Sequence, residues 1–166
     1  MTFKNWFQLV VAILICEGVG FLGAVFTVPE AGGWYASLVK PTLNPPSWVF
    51  GPVWTTLYFL MGVAVFLVWR QKVHSNILQN IRMNVRRGVR LFALQLVLNA
   101  LWSPIFFGMH NPALAFADLV LLALAIAATI VVFMRISSVA AWLMALYLAW
   151  VSFALYLNLT IVLLNP

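Results

Sequence analysis

Apolar residues fall along this chain in five long runs separated by proline, glycine, amide and charged punctuation. The runs cover residues 6–28, 47–69, 90–108, 112–134 and 140–164. Each is near the length of about 20 residues that a helix needs to cross the hydrocarbon of a bilayer. Hydrocarbon offers no water to an open backbone, so a spanning segment of this kind must be helical. The pattern therefore predicts an all-α integral membrane protein, with residues 1–166 forming a single domain of five transmembrane helices. Asn111 followed by Pro112 reads as the cap and first turn of the fourth span. There is no clear internal repeat, which sets aside the inverted-repeat plan of many transporters.

Composition strengthens this picture. The chain is 65% hydrophobic and 7% charged, with a mean hydropathy of +1.06. Soluble domains carry about 25% charged residues. The N-terminal run resembles a secretory leader, but it continues to Val28 without a clear small-residue cleavage site, and it reads as a retained helix. The lone Cys16 gives no disulfide and no metal cluster. The net charge of +6 would suit nucleic acid if it formed a patch. Instead Lys4, Arg70, Lys72, Arg82, Arg86, Arg87, Arg90 and Arg135 all fall on one side of a five-span topology. Lys40 and Glu30 fall on the other. That asymmetry predicts a cytoplasmic N-terminus, an external C-terminus and an external loop 34–48 in a bacterial cell membrane. The basic second loop then faces anionic lipid, and nucleic acid is not a partner.

Polar residues inside spans are expensive and mark candidate sites. Gly51, Trp54, Tyr58 and Gly62 lie within about 80° of helical arc in the second span. Gln95, Asn99 and Trp102 share one face of the third, and Tyr147, Trp150, Ala154 and Asn158 one face of the fifth. Facing inward, these stripes would line a cavity with aromatic rings and a few hydrogen-bonding groups, the usual composition of a small-molecule site. Facing one another, the same amides would join helices. Trp6, Trp69 and Trp142 suit the interfacial belt, whereas Trp48 suits belt or pocket rim equally. Glu17 and Asp118 are intramembrane carboxyls, readable as structural hydrogen-bonders or as a proton relay. His74 and His110 lie in loops without a second ligand at metal-binding spacing. No nucleophile–base set, phosphate loop or dinucleotide fingerprint is present.

The stretch "WYASLVKPTLNPPSWVFGPVWTTLYFLMG", from Trp34 to Gly62, resembles the translocator protein family, also known as the tryptophan-rich sensory proteins and formerly as peripheral benzodiazepine receptors. The blocks "GFLGA", "LNALWSPIFFG", "ALAFADLVL" and "YLAWVSFALYLN" extend the resemblance over nearly the whole chain. It implies a five-helix bundle, often a homodimer, whose first loop folds as a lid over a pocket among the helices. It implies binding of protoporphyrin IX or a related tetrapyrrole, and in some members sterols or benzodiazepine-site drugs. The implied pocket residues are Trp54, Tyr58, Trp102 and Trp150 as aromatics, Gln95 and Asn99 as polar contacts and Ala154 as a small wall residue. Tyr35 and Pro45 fall on the lid side. The sterol motif proposed for the last span is incomplete, because neither Tyr147 nor Tyr156 is followed by Lys or Arg. Lys40 suits either a ligand carboxylate or the interface.

Four functions compete on these residues, the plainest being a structural or assembly membrane protein with no saturable ligand. One is tetrapyrrole binding with a role in transport or stress sensing. A second is light- and oxygen-dependent porphyrin degradation, with Trp54 and Trp150 as electron donors. A third is proton-coupled transport through Glu17 and Asp118.

Overall fold

The computed structural model describes residues 3–74 and 79–166, with the side chains of residues 72–81 left undescribed. The sequence readings that involve the Lys72 and His74 side chains therefore lie outside the described residues. The elements are α1 (Phe3–Glu30), α2 (Trp34–Ser37), α3 (Ser47–His74), α4 (Gln79–Ser103), α5 (Pro112–Met134) and α6 (Ser138–Leu164). A π-helical segment, Pro104–Gly108, extends α4. Five helices are long and apolar enough to cross a membrane, and no strand occurs among the described residues.

The helix ends follow from local chemistry. Asn111 Oδ1 accepts the Leu114 N–H at 3.0 Å, capping α5 ahead of Pro112. The Ser137 hydroxyl accepts from the Ala140 N–H at 3.4 Å and starts α6. The third span runs further toward the N-terminal side than its apolar run, to Gln79 rather than residue 90. Its polar first half makes good helix, but hydropathy marks only the part immersed in hydrocarbon. Pro104 lacks an N–H and crowds the preceding turn, so the helix widens there. The Met109 N–H bonds the Pro104 carbonyl at 2.9 Å, five residues back.

The chain weaves so that α1 packs on α3 and α4, α3 also packs on α6, and α5 sits between α4 and α6. The core is centred on fully buried Met61, Phe66, Leu122, Ile126, Phe133, Met144 and Tyr147. Ile13 of α1 and Gly62 of α3 meet closely, backbone against backbone: a β-carbon at Gly62 would clash with the Ile13 backbone. On the side where α1, the π-segment and α6 end and α3 and α5 begin, the bundle splays open. The loop 31–46, carrying α2, covers that opening.

Candidate functional site

Two clasps hold the loop over the opening. At one end Glu30 closes α1 with its carboxylate turned to the loop. Glu30 Oε2 accepts the Trp34 N–H at 3.3 Å and lies 3.4 Å from His110 Nε2. The His110 ring stacks on Trp34 with centroids 4.4 Å apart, at a backbone φ of 50°. At the other end Asn165, just past α6, reads the loop backbone through its amide. Its Oδ1 accepts the Val39 N–H at 2.9 Å, and its Nδ2 donates to the Val39 carbonyl at 3.0 Å. Between the clasps Tyr35 packs edge-on to Phe106 and Phe107. Its hydroxyl donates to Asn44 Oδ1 at 3.2 Å. Burial pushes the Tyr35 phenol above its ordinary value, and the bond to Asn44 offsets part of that rise.

Beneath the loop is a cavity of about 740 Å³, walled by α1, α3, α4, the π-segment and α6. Its size lies inside the range of about 300–1,000 Å³ typical of small-molecule sites. One wall is a run of rings: Trp54 stacks on Tyr58 at 5.5 Å, and Trp150 stands edge-on to Trp54 at 6.5 Å. Opposite, Trp102 stacks on Phe106 at 5.1 Å. Small residues of α1, Gly20, Gly23 and Ala24, leave the room between these walls. Most polar atoms at the wall are already spent. The Tyr58 hydroxyl donates to Asn99 Oδ1 at 2.5 Å, and Trp102 Nε1 donates to Asn158 Oδ1 at 3.2 Å. Trp150 Nε1 is a buried donor with no partner among the described residues, and the Glu17 side chain also borders the cavity. The surface is thus flat, aromatic and sparsely polar, suited to a planar apolar ligand with few polar groups.

Most residues singled out from the sequence meet here. Tyr35, Trp48, Trp54, Tyr58, Asn99, Trp102, Trp150 and Ala154 all line the cavity. Trp48 does so from the mouth, at 75% exposure. Two do not line it. Gln95 faces the bundle interior one turn below Asn99 and is fully buried. Pro45 shapes the loop, with its carbonyl accepting from Asn44 Nδ2 at 3.3 Å. The two intramembrane acids part company: Glu17 borders the cavity, whereas Asp118 is buried in the α5 interface away from it. Lys40 lies over the Tyr35 ring, 4.8 Å from its centroid, and donates to the Ala36 carbonyl at 3.2 Å. Among the described residues no three His, Cys, Asp or Glu side chains gather as metal ligands.

Sequence reasoning missed Phe106 and Phe107, the Glu30–His110 clasp and the Asn165 clip. The Phe pair sits in the π-segment, whose changed periodicity hides its direction. The clasps join residues far apart in the chain, which no local pattern reveals.

A weave of five membrane-length helices around an aromatic chamber, roofed by a loop, defines a multi-pass integral membrane protein. The pattern of the TspO/MBR family matches residues 12–164 of the chain, and the protein belongs to that family. It is 46% identical to the tryptophan-rich protein TspO of Chlorobaculum tepidum, across 98% of this chain and 99% of that one. It is 40% identical to the tryptophan-rich protein TspO of Archaeoglobus fulgidus, across 97% of this chain and 99% of that one. It is 42% identical to the human translocator protein, across 83% of this chain and 78% of that one.

Proposed function

We propose that this protein is a membrane translocator or sensory protein that binds protoporphyrin IX or a related tetrapyrrole beneath its first loop. The observation that carries this reading is the ring wall of Trp54, Tyr58 and Trp150, set against the small residues of α1 around a cavity of about 740 Å³. A flat macrocycle buries large apolar area against such rings, and offset stacking adds about 0.5–1.5 kcal/mol per ring pair. The relatives named translocator protein and tryptophan-rich protein support the membrane role. In this reading the N-terminus is cytoplasmic, the covering loop is external, the membrane is the bacterial cell membrane, and the protein pairs as a homodimer.

The test is a protoporphyrin IX titration in nanodiscs, in the dark, followed by tryptophan fluorescence. Saturable quenching that weakens in Trp54→Phe/Trp150→Phe supports the pocket. Quenching that never saturates, or is identical in both proteins, means partitioning into lipid and overturns the reading.

A second reading rests on the edge-on placement of Trp54 and Trp150 in the same wall. A photoexcited macrocycle there would draw an electron from an indole and pass it to dioxygen, giving an indole radical cation and superoxide; the indole radical cation then takes an electron back from the macrocycle, and the oxidised macrocycle combines with superoxide, so that dioxygen ends in the oxygenated ring and the indole is restored. It predicts light- and oxygen-dependent loss of porphyrin absorbance, largely removed in the same double variant.

A further inference from the structure

From the cavity wall at Tyr58 and Asn99 a polar cluster runs into the bundle interior. Its hydrogen bonds run in one direction. The Tyr58 hydroxyl donates to Asn99 Oδ1, and Asn99 Nδ2 donates to the Tyr147 oxygen at 2.8 Å. Tyr147 is fully buried, and its own hydroxyl hydrogen has no acceptor among the described residues. Gln95, one turn from Asn99 on the same face of α4, is also fully buried, and neither Nε2 nor Oε1 has a partner among the described residues. Asp118 on α5 is 7% exposed, its Oδ2 is buried without a partner among the described residues, and it lies within electrostatic reach of Tyr147.

Roughly 90% or more of buried polar groups in proteins are hydrogen-bonded. Here a hydroxyl hydrogen on α6, a whole amide on α4 and a carboxylate oxygen on α5 are unspent among the described residues. They include two donors, Tyr147 O–H and Gln95 Nε2, and two acceptors, Gln95 Oε1 and Asp118 Oδ2. A bare cation held by Gln95 Oε1 and Asp118 Oδ2 would leave the Tyr147 O–H and Gln95 Nε2 donors unspent, and an anion would be repelled by Asp118. Water alone donates and accepts in the required numbers, and buried water characteristically makes about three such bonds.

We infer that Gln95, Tyr147 and Asp118 form a buried hydration site in the middle of the bundle, holding on the order of one or two ordered water molecules. The site makes the polar path continuous from the cavity wall at Tyr58, through Asn99 and Tyr147, to Asp118. It thereby joins α3, α4, α6 and α5 by hydrogen bonds in a region where packing supplies the other contacts. The inference is independent of what the cavity binds.

The test is a crystal structure of the full chain grown in a lipidic mesophase, at a resolution that shows ordered solvent, together with thermal melting of Gln95→Leu. Solvent density bonded to the Gln95 amide and shared with Tyr147 or Asp118 is the expected result. Density in which the Gln95 amide bonds protein groups directly overturns the inference, as does a peak that scatters as a bound cation. Melting gives an opposite sign for the two cases. Leucine in place of a hydrated glutamine removes the bridge and leaves Tyr147 and Asp118 unpaired, so the melting temperature falls. Leucine in place of a bare, unbonded amide relieves a buried penalty, so a rise overturns the inference.

Discussion

Gly20 on α1 lies so close to the Tyr58 ring on α3 that a β-carbon there would intrude on ring carbons Cδ2 and Cε2. Tyr58 is thereby held on two sides: α1 at Gly20 lies against ring carbons Cδ2 and Cε2, and Asn99 fixes its hydroxyl. The position of the cavity floor is set by how near α1 can approach α3. A side chain as small as alanine must displace either the ring or the helix.

Gly20→Ala is therefore expected to destabilise the protein by about 1–3 kcal/mol through overpacking. The shifted ring narrows the cavity, and protoporphyrin IX affinity is expected to fall about tenfold, equivalent to about 1.4 kcal/mol. Gly18→Ala is the control, because nothing lies within 4 Å of a β-carbon at that position. Equal behaviour of the two variants in melting and titration would show that the Gly20–Tyr58 contact does not shape the cavity.

The Tyr58–Asn99–Tyr147 chain makes a prediction about unequal losses. Asn99→Leu strands two buried hydroxyls at once, and each buried group left unpaired costs about 1–3 kcal/mol. Tyr58→Phe strands only Asn99 Oδ1, so it should cost about half as much. Thermal melting in a fixed detergent orders the variants: wild type, Tyr58→Phe, then Asn99→Leu. Asn99→Leu melting at or above Tyr58→Phe would show that these bonds contribute little.

How much of this was legible before the fold is clear from particular residues. Hydropathy located all five spans, because immersion in hydrocarbon keeps charged residue types rare along their length, with Glu17 and Asp118 the two acids inside them. Helical spacing grouped Trp54 with Tyr58 and Trp150 with Ala154, because residues three and four apart share a face. Spacing could not say what that face meets. Gln95 shares its face with Asn99, yet a small rotation along the helix turns it from the cavity to the bundle interior. Pro104 hid the direction of Phe106 by widening the turn. The Asn165–Val39 pair spans 126 residues of chain, and neither residue carries a local signal.

Tyr35 gives the covering loop a dependence on alkaline pH. Burial favours its neutral form and raises the phenol above its ordinary value of 10. A raised value means that this contribution to stability is fully present below about pH 10 and is lost as pH rises through the folded-state value. Ionisation also removes the hydrogen donated to Asn44 and places a charge beside Phe106 and Phe107. The expected outcome is a loosening of the loop above about pH 10, read as loss of amide protection in residues 34–46. Tyr35→Phe keeps the packing and should abolish that alkaline step. A step of the same size in Tyr35→Phe would assign it to another group.

The Asn165 clip sets how readily the loop lifts. Its side chain both accepts from and donates to Val39, and it also donates to the Ile161 carbonyl at 2.9 Å, so the end of α6 and the loop are held by one amide. These bonds are exposed, and an intramolecular hydrogen bond contributes about 0.5–1.5 kcal/mol net. Asn165→Ala removes both bonds to Val39 and should speed exchange of the Val39 amide by roughly tenfold, with little change in global melting. Asn165→Asp retains an acceptor for the Val39 N–H and loses the donor to its carbonyl, so it should fall between the two. If the loop gates the cavity, protoporphyrin IX dissociation measured by stopped-flow fluorescence should accelerate in the same order, while association changes less. Dissociation that ignores all three residues at this position would mean that the ligand leaves between helices rather than under the loop, and that the clip serves only to hold the C-terminal end of α6.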